Sequence, residues 1–256
     1  MNPLLNARRQ PLLLQELLLV DEVVNHSASQ EVIVDKFNFQ LTYNTLKCLR
    51  LNNPINDEII NFYMCLLQDR DKILTELSNC SRKSSHFFSC FFISSLLRSG
   101  EYNYNNVKRW TEGKNKINIF LKDKIFIPVC NDENNSYSSW AMIVVFMQLK
   151  EIHYYDSMSR PNVIERYLQH VLHWLVDESI EKHNNEYNID INEWQLFALE
   201  AIYPQQSGSF DCGIFTILCA DFVSDNIPLN DSYSQPEIPQ YRQKICASIL
   251  RGELNY

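Results

Sequence analysis

The chain has 256 residues, 45% of them apolar and 12% aromatic, and a formal net charge of −8 at pH 7. That length and apolar content provide for one large domain or two small ones with a sizeable core. The acidic balance excludes nucleic acid as the default partner, because phosphate binding needs a positive surface.

Residues 1–30 read as an N-terminal appendage to a single domain spanning 31–256. Within the appendage, Pro11 to Val20 (PLLLQELLLV) follows Arg8 and Arg9 and precedes Ser27-Ala28-Ser29, as in a signal peptide. Gln15 and Glu16 break the apolar run, however, and it is far too short to cross a bilayer. An amphipathic helix or partner-binding segment is expected there, and no membrane span elsewhere. Asn56 is placed to cap a helix. Asp57 and Glu58 suit its positive end, and Ile59, Phe62, Tyr63 and Leu66 form one stripe along it. Asparagine-rich patches at 103–106, 131–135 and 183–192 read as surface loops. KIFIPV (124–129), WAMIVVFM (140–147) and EIHYYDSM (151–158) read as strands, 163–179 as a helix, and QLFALEAIYP (195–204) as another strand. After Gly213, IFTILCADFV reads as a buried helix. The class expected is α+β, with a mostly helical first half and a central sheet; the 13 tyrosines and 14 phenylalanines favour that over a helical bundle.

None of the eight cysteines forms a C-x-x-C pair, so neither a zinc ribbon nor a thioredoxin motif is expected. They read as scattered core thiols in a reducing compartment, nucleus or cytoplasm, with one exception. QQSGSFDCGIF (205–215) concentrates two of the chain's five glycines around Cys212. A thiol where a loop enters a helix feels the positive end of the helix dipole, which favours thiolate. Gly208 and Gly213 would let backbone approach a reacting group, and Gln206 could donate its amide to an oxyanion. A core cysteine at a helix start is the plainer alternative, and the Gln, Gly and Asp neighbours weigh against it.

Gln206 to Gly213 (QSGSFDCG) resembles the nucleophile motif of the Ulp/sentrin-specific protease family, which processes SUMO-type ubiquitin-like proteins. Residues 55–64, 104–110, 124–129, 140–144 and 154–158 are similar to further family segments in the family's order, so the likeness covers roughly 36–250. The resemblance implies a papain-like cysteine peptidase fold, with Cys212 as nucleophile and Asp156 orienting the triad imidazole. Gln206 would complete the oxyanion hole. Trp140 and Gly213 would lie at the substrate's Gly-Gly tail. It implies a SUMO-type protein and its conjugates as partners, and no cofactor or metal.

Two positions depart from the family. Its histidine precedes the tryptophan matching Trp140, and here that position is Ser139, whose hydroxyl does not accept a proton near pH 7. Its tunnel-covering tryptophan is here Pro54. Among the other histidines, His173 falls within a helix and His170 shares its face. His153 and Asp156 lie on opposite strand faces, and no pattern supports His86. Two functions are therefore carried forward: a SUMO-type cysteine peptidase, active or residually active, whose turnover Ser139 puts in question, and a degenerate peptidase that binds a ubiquitin-like protein without cutting it. Acyl transfer by the same thiol would also need the histidine. The basic run Lys108, Arg109, Lys114, Lys116, Lys122 and Lys124 could steer an acidic partner, or could be a solvated face.

Overall fold

The computed structural model describes residues 3–78, 81–112, 116–131, 139–158, 164–198, 204–230 and 232–254. Two short N-terminal helices, α1 (Pro3–Arg9) and α2 (Leu14–Asn25), precede a hairpin of β1 (Val32–Lys36) and β2 (Phe39–Thr42). The short α3 (Tyr43–Leu46) then leads to the long α4 (Asp57–Leu77). Asn56 caps α4 as its sequence demands, its side-chain oxygen accepting from the Ile59 N–H at 3.0 Å.

The centre is a five-stranded mixed sheet ordered β3-β4-β5-β6-β7, formed by His86–Phe87, Lys124–Asn131, Ser139–Phe146, Glu151–Tyr155 and Gln195–Ala198. β5 is antiparallel to both neighbours, while each edge strand runs parallel to its inner one. Both faces of β5 are buried, which is why it reads as a continuous apolar run rather than an alternating one. Trp140, Met142 and Val144 face one core, with α4, α7 (Cys212–Ser224) and α8 (Ile238–Arg251). Ala141, Ile143 and Val145 face a second, with α5 (Phe91–Leu96) and α6 (Ile164–His183). Every residue of α7 is buried. The loop expected at 131–135, the strand at 195–204 and the helix at 163–179 each extend partly beyond the described residues, at 132–135, 199–203 and 163. Among the described residues no helix is long and apolar enough to cross a membrane.

Residues 3–25 are built into the domain rather than appended to it. Val20 and Val23 of α2 belong to the α7 core. Arg8 is 3% exposed, with its guanidinium 2.8 Å from Asp221 and 2.5 Å from Asp225. Arg70 pairs with the same two aspartates at 2.6 and 3.4 Å, and Arg82 reaches Asp225 at 3.1 Å. Burial alone would push the Asp221 carboxyl up, but Arg8 and Arg70 hold it down at about 2. The basic run is likewise not a uniform exposed face. Lys124 is buried against Asp123 and Phe146, Lys122 donates to Ser84, and Lys114 lies outside the described residues.

Removing one member of a buried charge set leaves its partners uncompensated, at a cost of about 3 kcal/mol. Arg8→Ala should therefore lower the urea midpoint by about that free energy. Arg9→Ala, at an exposed neighbour, should change it by less than about 1 kcal/mol. Equal effects would mean that the Arg8 cluster does not anchor the N-terminal helices.

Candidate active site

Cys212 opens α7, as its position before an apolar helical run predicts, and is 2% exposed. The other cysteines behave as core thiols. Burial pushes Cys48 up to about 11 and Cys90 and Cys246 up to about 12, and raises Cys219 well above the ordinary thiol range.

The first turn of α7 meets β5 and the entrance to α4 at one point. A Cβ placed on Gly213 would stand 2.6 Å from Ile55 Cβ and 3.1 Å from Trp140 Cδ1. Trp140 is 1% exposed and donates its indole N–H to the Ile55 carbonyl at 2.8 Å. Trp140 and Gly213 are thus packed against each other and against Ile55. Only glycine lets the helix, the indole and Ile55 come so close. Pro54, half-buried, immediately precedes Ile55.

Ser139 is the first residue of β5 and pairs with Asn131. Tyr155, the last residue of β6, pairs with Met142, and Asp156 follows it directly, so Asp156 and Ser139 both lie toward the same end of the β5–β6 ladder. Asp156 is 3% exposed, and one of its oxygens accepts from the Met158 N–H at 2.9 Å. The Gln206 N–H donates to the Ser157 carbonyl at 3.1 Å, which brings the loop before Cys212 to the residue after Asp156. Its side chain, however, is engaged within the protein: the amide oxygen accepts from Ser157 Oγ at 2.7 Å and the amide nitrogen donates to the Gly208 carbonyl. Cys212, Asp156, Ser139 and Gln206 thus gather at one end of the sheet, but Gln206 is held by its own loop rather than turned to an oxyanion.

All six histidines lie within the described residues, and their placement answers whether another could serve as base. His86 pairs with Ile125, which pairs with Val145, six residues along β5 from Ser139. At strand spacing that is about 20 Å from the Ser139 end. Burial and the nearby Lys122 also hold His86 down at about 4. His153 pairs with Val144, five residues along, and contacts Glu151 and the Tyr155 hydroxyl. His170 and His173 stand on α6, and both meet the Tyr102 ring. His183 packs on Phe120 and Tyr187, and His26 stacks on Tyr43.

Arg242, on α8, carried no local signal in the sequence, yet it organises this end of the molecule. Its side chain is 1% exposed. It donates to the carbonyls of Cys48, Arg50, Asn53 and Phe210 at 2.8–3.1 Å and to Asp211 Oδ1 at 2.7 and 3.1 Å.

Residues 53–252 match the model of the Ulp1 protease family, C-terminal catalytic domain. Sentrin-specific protease 2 of Pongo abelii is 31% identical over 238 residues, covering 92% of this chain and 36% of that protein. The chain thus spans about a third of the length of that relative. Putative ubiquitin-like-specific protease 1B of Arabidopsis thaliana is 32% identical over 247 residues, covering 94% of this chain and 67% of that protein. The fold is similar to that of the C-terminal Ulp1 protease domain solved in complex with Smt3, the yeast ortholog of SUMO. The TM-score is 0.76 at 24% identity, with 95% of this chain and 97% of that one covered.

Two measurements follow from this geometry. Gly213→Ala should lower stability by about 1–3 kcal/mol, because Ile55 and Trp140 leave no room for a methyl group; an unchanged denaturation midpoint would show that the contact yields freely. His86 sets a pH window. The unfolded chain takes up its proton near pH 6.5, and the fold resists that proton until about pH 4. Stability from this group is complete above pH 6.5 and declines as pH falls from 6.5 to 4. The loss should reach about 2 kcal/mol, allowing for partial exposure. His86→Gln should flatten that part of the curve in denaturation melts at several pH values, and a variant with the wild-type slope would assign the window elsewhere.

Proposed function

We propose that this chain, which belongs to the Ulp1 protease family, binds the C-terminal tail of a SUMO-type ubiquitin-like protein at the Cys212 end of its sheet. In this reading turnover is weakened or lost, because no imidazole stands between Cys212 and Asp156. Family membership supports the cysteine-peptidase chemistry. The relatives named for sentrin and ubiquitin-like proteins support the substrate class. The observation that carries the reading is that Ser139 opens β5, one residue before the Trp140 that meets the first turn of α7, while the histidines of β3 and β6 lie level with Val145 and Val144, six and five residues along that strand.

The chemistry follows from what each group can do. Attack by Cys212 Sγ on a carbonyl carbon forms a new C–S bond and places charge on the carbonyl oxygen, which the first turn of α7 is placed to stabilise. Collapse to a thioester then needs a proton for the departing amine, and Ser139 cannot deliver one near neutrality. Loss of the base from a nucleophile–base pair lowers peptidase rates by about 10⁴–10⁶. Substrate binding does not require the proton and survives. We place the chain in the nucleus or cytoplasm, a reducing compartment suited to a chain with eight cysteines and no C-x-x-C pair.

Restoring the base tests the reading. Ser139→His should raise hydrolysis of a SUMO-type C-terminal fluorogenic substrate by at least about 10³. The gain should disappear when Asp156→Ala or Cys212→Ala is added, and the new activity should titrate near neutral pH. A SUMO-type protein carrying a C-terminal electrophile should label Cys212 in the wild type. Strong wild-type hydrolysis dependent on Cys212 would show that another base operates. Absence of both binding and labelling would remove the substrate class.

A further inference from the structure

Asp211 stands directly before Cys212 and accepts the first helical bond of α7 on its backbone carbonyl, from the Phe215 N–H at 3.0 Å. Aspartate is among the strongest helix caps, and its carboxylate would ordinarily turn onto the N–H groups of the first turn. Here it makes no such bond. One oxygen accepts from Arg242 Nε and Nη2 at 3.1 and 2.7 Å, and the other from Gln235 Nε2 at 2.8 Å. The same guanidinium is fixed by four backbone carbonyls from residues 48–53 and 210, so it has no freedom to release the carboxylate.

Had Asp211 capped the helix, two things would change at the thiol. The negative charge would sit against the end of α7 and oppose ionisation of Cys212. The donors of the first turn would also be occupied, and a carbonyl oxygen developing charge could not use them. We propose that Arg242 is a positioning residue for Cys212: it withholds the Asp211 carboxylate from the first turn of α7, keeping that turn for the thiol and for the substrate group it attacks. Gln235 assists from the other side. The inference rests on the reading of Cys212 as a nucleophile, but not on which protein the chain binds.

The test is the rate of Cys212 alkylation by iodoacetamide at pH 7, followed by mass spectrometry of the Cys212 peptide in the full chain. Thermal unfolding confirms that each variant is folded. Arg242→Gln should slow the reaction about tenfold, because the released carboxylate returns to the helix end. Adding Asp211→Ala should bring the rate back to within about twofold of wild type, since no carboxylate remains to interfere. Asp211→Ala alone should stay within the same range. Arg242→Lys, a gentler change that keeps the charge but not the forked geometry, should show the same order with about a threefold loss, and serves if Arg242→Gln does not fold. A purely structural arginine would slow the single and double variants alike, and equal rates within both series would overturn the proposal while leaving the function of Cys212 untouched. Failure of wild-type Cys212 to react would overturn both.

Discussion

The backbone of α7 at Gly213 comes so close to Ile55 and Trp140 that any side chain there would overlap them. This contact fixes three segments distant in sequence: the entry to α4, the start of β5 and the first turn of α7. Trp140 adds a directional bond to it through the Ile55 carbonyl. Once these three are locked, Cys212 has no independent choice of position, and neither does the strand end that carries Ser139. Asp156 follows the last ladder pair of β5 and β6, Met142 with Tyr155, so the ladder carries it to the same end of the sheet. The geometry of the candidate site is thus largely a consequence of packing between groups that take no part in its chemistry.

α7 is apolar and fully buried, and the aspartates at both of its ends are neutralised by arginines from elsewhere in the chain. The two ends differ in sign. A carboxylate at the N-terminal end agrees with the helix dipole, so one arginine and one glutamine suffice for Asp211, and their effect is to direct it. Asp221 and Asp225 lie at the C-terminal end, where the dipole opposes them, and Arg8, Arg70 and Arg82 all converge there. One of those three comes from the first helix of the chain. The N-terminal helices therefore help to neutralise a buried charge set directly beneath the catalytic-type helix, rather than merely decorating the surface.

Much of this was legible in the sequence where the signal was local. Asn56 followed by two acids marked the start of α4, the apolar runs marked β4 and β5, and the Asp-Cys-Gly step marked the start of α7. The β1–β2 hairpin was not legible. Its two turn residues, Phe37 and Asn38, have φ of 57° and 63°, a conformation usually announced by Asn-Gly or Gly-Gly and here hidden by a phenylalanine. The role of Arg8 was hidden for a different reason. An arginine in a leucine-rich segment reads as exposed, and its partners lie more than 200 residues away. Arg242 was likewise unreadable, since four carbonyls leave no trace in side-chain patterns.

On the proposed reading, Ser139 stands where the base of the site would be. Residue 139 joins the sheet through its backbone pairing with Asn131, a ladder contact indifferent to the side chain. The core begins one residue later, at Trp140. The groups that hold the site together are Gly213, Ile55, Trp140, Arg242 and Asp211. Gly213, Ile55 and Trp140 are packed and hydrogen-bonded together, and Arg242 is bound to Asp211. For proton transfer near neutral pH, imidazole and hydroxymethyl are not interchangeable. The contacts that fix the start of α7 run through Gly213, Ile55, Trp140, Asp211 and Arg242, none of which moves a proton near neutral pH. On the proposed reading, the architecture around Cys212 is therefore maintained by groups other than those its chemistry would need.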